Sequence, residues 1–469
     1  MLKRKRRMNM KKQLIALLAC AALLFALCAG CTPEKPSASN PPANNSTPGT
    51  QDTDKPEQPP EGNPYVQGVT DTEILVGNTA TTAGALASVG VPFNAGLEAA
   101  LKEYNDAGGF QGRSVRLMNY NDDFDAANGT TYTQKLVEDD KVFALVGHFG
   151  TPTVGATLDY VKEKGIPTVY CVTGISPLYQ ENAEGNEAVV FPVQPIYNAE
   201  GRVLLARALA PTEGGYGLGG TKIGVIATTA DDGEGLKAGV QRQAKEVNAD
   251  IVYQDVDASA TEYSAAVNVL KNAGCDVVII CANQVPVTTV LSSMRDANYN
   301  AKCITSYVSA SATLLGDLVA NGSITAERPV YTTAWLDVGT EAGMADYLAF
   351  AAAQGAWEAE KGISPDQSYA LNSYAMAGYV AGKSFIHGLD QLDSMGLDLT
   401  WENYVKAMEN APMKVPMGGE LDFAGGARLG VTDLALNTIG LEPNPDTGAY
   451  ALVSVSPIMS LDDVMAQVK

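Results

Sequence analysis

Histidine is nearly absent from this chain, with two in 469 residues, His148 and His387. A three-histidine metal site is excluded, and triad chemistry has only two places from which to draw its base. Positive charge is scarce too: 32 Lys and Arg stand against 53 Asp and Glu, a net charge of −21. Nucleic-acid binding needs a basic surface to neutralise phosphates, so that class is set aside. A polybasic grip on anionic lipid fails for the same reason. No GxSxG nucleophile elbow and no GxxxxGK[ST] phosphate loop occurs. No apolar run reaches the roughly 20 residues that span a bilayer as a helix. What the chain has in plenty is apolar residue, 46% of the total, and a length that calls for about two to four domains of ordinary size.

The first thirty residues differ in kind from the rest. Lys3, Arg4, Lys5, Arg6, Arg7, Lys11 and Lys12 carry all the charge, and Leu14 to Leu27 is apolar throughout. A basic start, a short apolar run and small residues after it predict a secretory signal over 1–30. The signal ends in Leu27-Cys28-Ala29-Gly30-Cys31. This is similar to a bacterial lipobox, with Cys28 where leucine is usual, and it marks Cys31 as the lipidated residue. Leu17-Leu18-Ala19-Cys20 fits the short pattern as well but would cut the apolar run too early. Loss of residues 1–30 leaves 25 basic and 53 acidic residues, net −28. Such a surface repels anionic lipid, so contact with the membrane is expected through the lipid anchor alone.

Residues 31–64 form the lipidated cysteine and a linker rich in Pro, Ser, Asn and Thr. That composition buries too little apolar surface to fold. Four cysteines remain beyond it: Cys171, Cys275, Cys281 and Cys303. None has metal-knuckle spacing, and no metal or cofactor is implied. Cys275 and Cys303 each precede an apolar run and could share a sheet edge; four buried free thiols is the other reading.

From residue 73 onward, apolar runs alternate with helix-like stretches. Strands are predicted at Glu73–Gly77, Val115–Tyr120, Phe143–Gly147, Thr168–Val172, Ala188–Pro192, Lys222–Ala227, Ile251–Asp255, Asp276–Cys281, Lys302–Ser306, Val330–Thr333, Leu434–Ile439 and Tyr450–Val455. Helices are predicted at Pro92–Asn105, Pro152–Lys164, Gly233–Val247, Glu262–Asn272, Val287–Asn298 and, as one Ala-rich stretch, Glu341–Leu392. Strand–helix–strand units give parallel sheets with right-handed crossovers, and there are too many strands for one sheet. The fold class is α/β, with two doubly wound lobes divided near Phe191–Pro195. The expected bounds are 65–192 with 333–434 for the first lobe, and 193–332 with 435–469 for the second. Crossing segments between two lobes form a hinge with a ligand cleft.

Several local patterns lead elsewhere. Gly215–Gly220 matches GxGxxG but precedes its strand, so it is expected to be a flexible loop. Asn121–Asp125 lacks the glycine and final Glu of a calcium loop and reads as a strand end followed by a helix cap. His148 follows a buried strand and is read as structural. Phe149-Gly150-Thr151-Pro152 is different: it opens a helix at the carboxyl edge of a parallel sheet, where α/β folds bind ligands. Thr151 is placed there either as the helix cap or as an anion contact.

The order Gly96–Gly109 (GLEAALKEYNDAGG), FQGRSVRL, YNDDFDAANG, ALVGHFGTPT, KEKGIPTV, TGISPL and DDGEGL resembles the type I periplasmic binding proteins of the leucine/isoleucine/valine-binding group. The resemblance covers roughly residues 70–460. It implies two Rossmann-like lobes with three crossovers, no enzymatic activity, and a monomer that delivers a small-molecule ligand to an ABC permease and its ATPase. It places ligand contacts at Phe149, Gly150 and Thr151 for a carboxylate, and at Val172, Thr173 and Gly174. Asp232 and Asn283 line the second lobe, and Tyr369 is an aromatic wall. The family's ammonium-binding acid falls on Tyr307, which carries no charge at neutral pH. Asp232 is expected to take that role, so the ligand is an amino acid, branched-chain or other, or an amide or carboxylate relative. The cysteine pair of some members is replaced by Phe124 and Gly150. A second reading is a ligand-sensing ectodomain for a separate signalling receptor. Cys31→Ser should block lipidation and release the mature chain into the medium or periplasm. Membrane retention at unprocessed length, read by fractionation and immunoblot, would place the cleavage elsewhere.

Overall fold

The computed structural model describes residues 67–468, apart from 446 and 447. The predicted signal, Cys31 and the linker to residue 64 lie outside the described residues. Five parallel strands make the first sheet: β1 (Glu73–Ala80), β2 (Ser114–Asn121), β3 (Ala144–Val146), β4 (Thr168–Val169) and β5 (Val190–Phe191). Their order is β2-β1-β3-β4-β5. The second sheet holds β6 (Ile223–Thr228), β7 (Ile251–Val256), β8 (Val277–Cys281), β9 (Lys302–Thr305) and β10 (Val330–Ala334) in parallel. After the short ribbon β11 (Met413–Lys414) and β12 (Glu420–Leu421), β13 (Leu434–Ile439) and β14 (Leu452–Met459) join antiparallel beside β10. Every residue of β6 and β8 is buried, as expected of strands covered on both faces. The antiparallel pair was not expected. β13 enters from the other lobe rather than along a crossover helix, so nothing forces it parallel.

The crossover helices are α1 (Ala87–Asp106), α2 (Ala126–Gln134) and α3 (Thr151–Lys164) in the first lobe. In the second they are α4 (Tyr197–Leu209), α5 (Asp231–Val247), α6 (Ser264–Ala273), α7 (Gln284–Asp296) and α8 (Ala312–Ala320). The chain then returns to the first lobe through α9 (Glu341–Lys361), α10 (Ser373–Ser394) and α11 (Trp401–Met408), and ends in α12 (Leu461–Met465). The Ala-rich stretch is therefore two helices. Gly362 caps α9 in the left-handed region, and Asn372 restarts α10 by accepting the Tyr374 and Ala375 N–H groups. α1 begins five residues before the predicted Pro92 and carries that proline inside it.

β4 stops at Val169 because Tyr170 adopts φ 61, a left-handed value that turns the chain out of the ladder. The Gly215–Gly220 segment is tied down: Gly217, Leu218, Gly219 and Gly220 donate their N–H groups to Pro211, Arg207, Ala210 and Ala208, closing the end of α4. Three segments cross between the lobes, after β5, after β10 and before β13. The first and third are bonded to each other, Val431 N–H to Val193 O at 2.9 Å. Cys171, Cys275, Cys281 and Cys303 are all buried free thiols. Among the described residues, no helix is long and apolar enough to cross a membrane.

α1 and α10 pack backbone to backbone. A Cβ on Gly96 would lie 1.8 Å from Ala375 O, and one on Gly378 would lie 1.8 Å from Phe93 O. Gly355, on α9, has nothing within 4 Å of its would-be Cβ. Gly378→Ala should cost at least about 1–3 kcal/mol by overpacking. Gly355→Ala should add roughly 0.5–1 kcal/mol through helix propensity. Urea unfolding of the two variants reads both signs; equal effects would contradict the close packing.

Candidate functional site

Both parallel sheets point their carboxyl edges at one gap, so the starts of α3, α5 and α7 meet there. On the first-lobe side, Gly150 takes φ 95, a glycine conformation, and a Cβ there would strike the Phe124 ring at 2.9 Å. Phe124 and Gly150 are thus in contact. Gly150 is the cap residue, and Thr151 makes no cap hydrogen bond to its own helix. Its hydroxyl instead pairs with the Thr173 hydroxyl at 2.9 Å. Two hydroxyls sharing one hydrogen bond leave a second proton, and it faces the Tyr197 phenol. The first turn of α3 is held by Asp122, which accepts from Thr153 Oγ1 at 2.6 Å and Thr81 Oγ1 at 3.1 Å. Asp125 caps α2, so the acidic run is a strand end and a cap. Val172 is engaged by backbone: its N–H donates to His148 O and its carbonyl accepts from Gly150, with a bridge to Phe149. His148 lies buried between Thr79 and Thr157, and burial lowers its pKa to about 4, so it is a neutral structural residue.

On the second-lobe side, Asp232 lies in the first turn of α5, 5% exposed. Burial raises its carboxyl above the ordinary value. Its own N–H and those of Gly233 and Asn283 act against that rise, and the neighbouring Asp231 adds to it. One oxygen, Oδ2, is buried without a hydrogen-bond partner. Asn283 caps α7 with an exposed side chain that makes no cap bond; its contribution is the N–H. Tyr307 does not open onto the gap through its hydroxyl. That group donates to Pro195 O at 3.0 Å and accepts from Gln194 Nε2 at 2.8 Å, both on the first crossing segment. Below it lies Glu200, fully buried on α4. Glu200 accepts from Ser306 Oγ at 2.7 Å, Tyr307 N–H at 2.9 Å and Thr333 Oγ1. Burial raises its pKa to about 7, and those three donors hold it from rising further.

Gln284 and Tyr197 both make contacts between the lobes. Gln284 Nε2 donates to the Tyr374 hydroxyl and to Val308 O. Tyr197, buried at the start of α4, donates its N–H to Gly174 O at 2.7 Å and lays its ring on the Gly174 Cα. Its phenol faces the Thr151 and Thr173 hydroxyls and the Gly174 N–H; burial and Asp232 raise its pKa to about 12. Thr151, Thr173, Gly174, Asp232 and Asn283 therefore share one neighbourhood. Tyr369 is half-buried against the first-lobe core, with its N–H on Glu358 at 2.7 Å. Tyr197, Glu200, Gln284 and Tyr374 were not foreseen. The available signal was position: Tyr197 and Glu200 begin the helix after the first crossing, and Gln284 follows a predicted contact. The hollows bounded by Gln241, Lys245 and Tyr253 and by Asp159, Lys162 and Asn186 contain none of these residues.

Residues 73–439 match the sequence profile of the periplasmic binding protein family. The Leu/Ile/Val-binding protein homolog 2 of Brucella abortus is 25% identical over 241 residues, 50% of this chain and 61% of that protein. The chain thus aligns with less than two thirds of that relative. Solved structures share the fold, among them the following two. A fatty acid ABC transporter substrate-binding protein from Thermomonospora curvata has TM-score 0.68 at 17% identity, covering 87% of this chain and 98% of that one. A branched chain amino acid ABC transporter from Thermus thermophilus with bound valine has TM-score 0.65 at 14% identity, covering 85% and 100%.

The burial of Glu200 has a pH signature. Its folded pKa of about 7 exceeds the ordinary 4.5, so its stabilisation is complete below pH 4.5 and is lost as pH rises to 7. The loss is roughly 3 kcal/mol. His148 acts in the opposite sense, losing stabilisation as pH falls from 6.5 towards 4, so the wild-type curve alone is ambiguous. From urea titrations at pH 4.5 and 7.5, wild type should lose about 3 kcal/mol of stability relative to Glu200→Gln on raising the pH. Parallel curves would refute the assignment.

Proposed function

The chain belongs to the periplasmic binding protein family, and from that premise we propose that it captures a small polar organic solute between its lobes for an ABC permease and its ATPase. The observation that carries this reading is the unpartnered, buried oxygen of Asp232 at the edge where both sheets present helix starts. A buried carboxylate without a full set of partners is costly, and a solute supplying a donor or a positive charge removes that cost. Thr151, Thr173, Gly174 and Tyr197 form the facing wall, with the Asn283 N–H behind Asp232. Gln284 and Tyr374 latch the rim. Tyr307 serves the hinge, since its hydroxyl is taken by Gln194 and Pro195. We take the lobes as about 65–192 with 333–434, and 193–332 with 435–469, the cuts falling within β10 and at the start of β13. We further propose export by the 1–30 signal and tethering through lipidated Cys31 and the linker, with the body acting as a monomer. The names of the Leu/Ile/Val-binding relative and the valine-bound neighbour support a solute with an amino group.

The test is a thermal-shift screen over amines, amino acids, amides and small carboxylates, followed by calorimetry. A solute that binds only the folded state raises the melting temperature. Asp232→Asn should then weaken binding of an amino-bearing solute by about 2–5 kcal/mol, as for truncating one partner of a buried charge pair. A solute bound equally by wild type and variant would remove Asp232 from the site, and a screen with no hit would remove the function.

A further inference from the structure

Three buried oxygens without hydrogen-bond partners border the first turn of α5: Asp232 Oδ2, Tyr263 Oη and Thr228 Oγ1. Their residues are 5%, 1% and 2% exposed. Thr228 ends β6, and its hydroxyl would lie 2.3 Å from a Cβ built on Gly233. Tyr263 precedes α6 and feels the charge of Asp232. Asp232 Oδ2 can only accept, and the Tyr263 and Thr228 hydroxyls can accept as well as donate, so the three together leave a place for a donor. A primary ammonium brings three N–H donors and one positive charge. Asp231, beside Asp232, adds negative charge to the same spot.

Across the gap the chemistry is inverted, and there the position is filled. The Thr151 and Thr173 hydroxyls, the Gly174 N–H and the start of α3 favour negative charge. Tyr197 occupies that wall. A Cβ on Gly174 would lie 2.7 Å from its Cδ1 and 2.9 Å from its Cε1, and the residue is 4% exposed. On its other side, a Cβ on Gly235 would lie 3.0 Å from the Tyr197 Cβ. The ring is thus wedged between the lobes with its phenol towards the two threonines. A solute carboxylate could reach those donors only by evicting a packed aromatic ring; left elsewhere in the gap it would meet Asp231 and Asp232.

We propose that Tyr197 closes the anion position and that the solute is a primary amine lacking a carboxylate, seated by its ammonium on Asp232, Tyr263 and Thr228. This deepens, and rests on, the solute-binding reading above. Tyr197 is then the residue that sets specificity, by exclusion rather than by attraction.

Calorimetry on matched pairs tests it: isoamylamine against leucine, and 4-aminobutanamide against glutamine, each amine being its partner without the carboxylate. In wild type the better-bound amine should exceed its amino-acid twin by at least about 100-fold, the scale of burying an unpaired charge. Tyr197→Ala should shrink that ratio below about tenfold by admitting the acid, and Asp232→Asn should abolish amine binding. The wild-type comparison stands even if Tyr197→Ala fails to fold. Amino acids bound as tightly as amines by wild type would overturn the proposal and leave solute capture intact. The same holds if no pair binds but the thermal-shift screen yields a solute of another class. If neither the pairs nor the screen yields any binder, the solute-binding reading fails with the proposal.

Discussion

A parallel strand cannot be reached by a tight turn; the chain must be carried back along the sheet, here by a helix. That constraint organises this molecule. It sets the starts of α3, α5 and α7 at the carboxyl edges of their sheets, and those two edges face each other. The N–H groups at the starts of α3, α5 and α7 are therefore gathered into one gap without any residue having been chosen for it. The short β11–β12 ribbon apart, β13 and β14 are the described strands that escape the rule. They are fed from the other lobe by a crossing segment, and they lie at the sheet edge away from β6 and α5.

Within that frame the gap is electrically uneven. Its first-lobe wall offers donors: two hydroxyls and the amides of a helix start. Its second-lobe wall offers acids. Glu200 and Asp232 are both buried, yet they are treated differently. Glu200 is surrounded by three donors that join α4, the end of β9 and β10, so it works as a bracket at the hinge. Asp232 retains an oxygen with nothing to hold. A bracket is satisfied within the protein, whereas Asp232 is left for something outside it. Tyr197 lies between the walls and belongs to the helix that follows the first crossing, so movement at the hinge would act on it directly.

Close approach is secured by glycine in both lobes. Gly96 and Gly378 let α1 and α10 touch by backbone, Gly174 and Gly235 admit the Tyr197 ring from two sides, and Gly233 admits Thr228. These positions lie in different elements, but each replaces a side chain by a neighbour's main chain or ring. Where no neighbour comes near, as at Gly355, the glycine has no such reason in the packing.

Much of this was legible in the chain itself. The alternation of apolar runs with 3.6-period stretches determined the α/β class, two lobes and nearly every strand, because parallel strands buried on both faces leave a plain apolar signature. The helix start at Thr151 and the acid at Asp232 were legible as well, since one is a local signal and the other stands in a short run before a helix. Residue-level partners were not. Whether Thr151 caps its helix or faces Thr173 depends on Gly150 taking a left-handed conformation. Whether Tyr307 meets a ligand or the hinge depends on Gln194 and Pro195, more than a hundred residues away. Tyr197 and Glu200 are marked only by their place at the start of the helix after the first crossing, and Tyr374 carries no such mark. Secondary structure follows from periodicity and caps, which act within a few residues, so the sequence alone determined it. Which side chains fill a gap follows from how two lobes close on each other, and only the tertiary structure decided that.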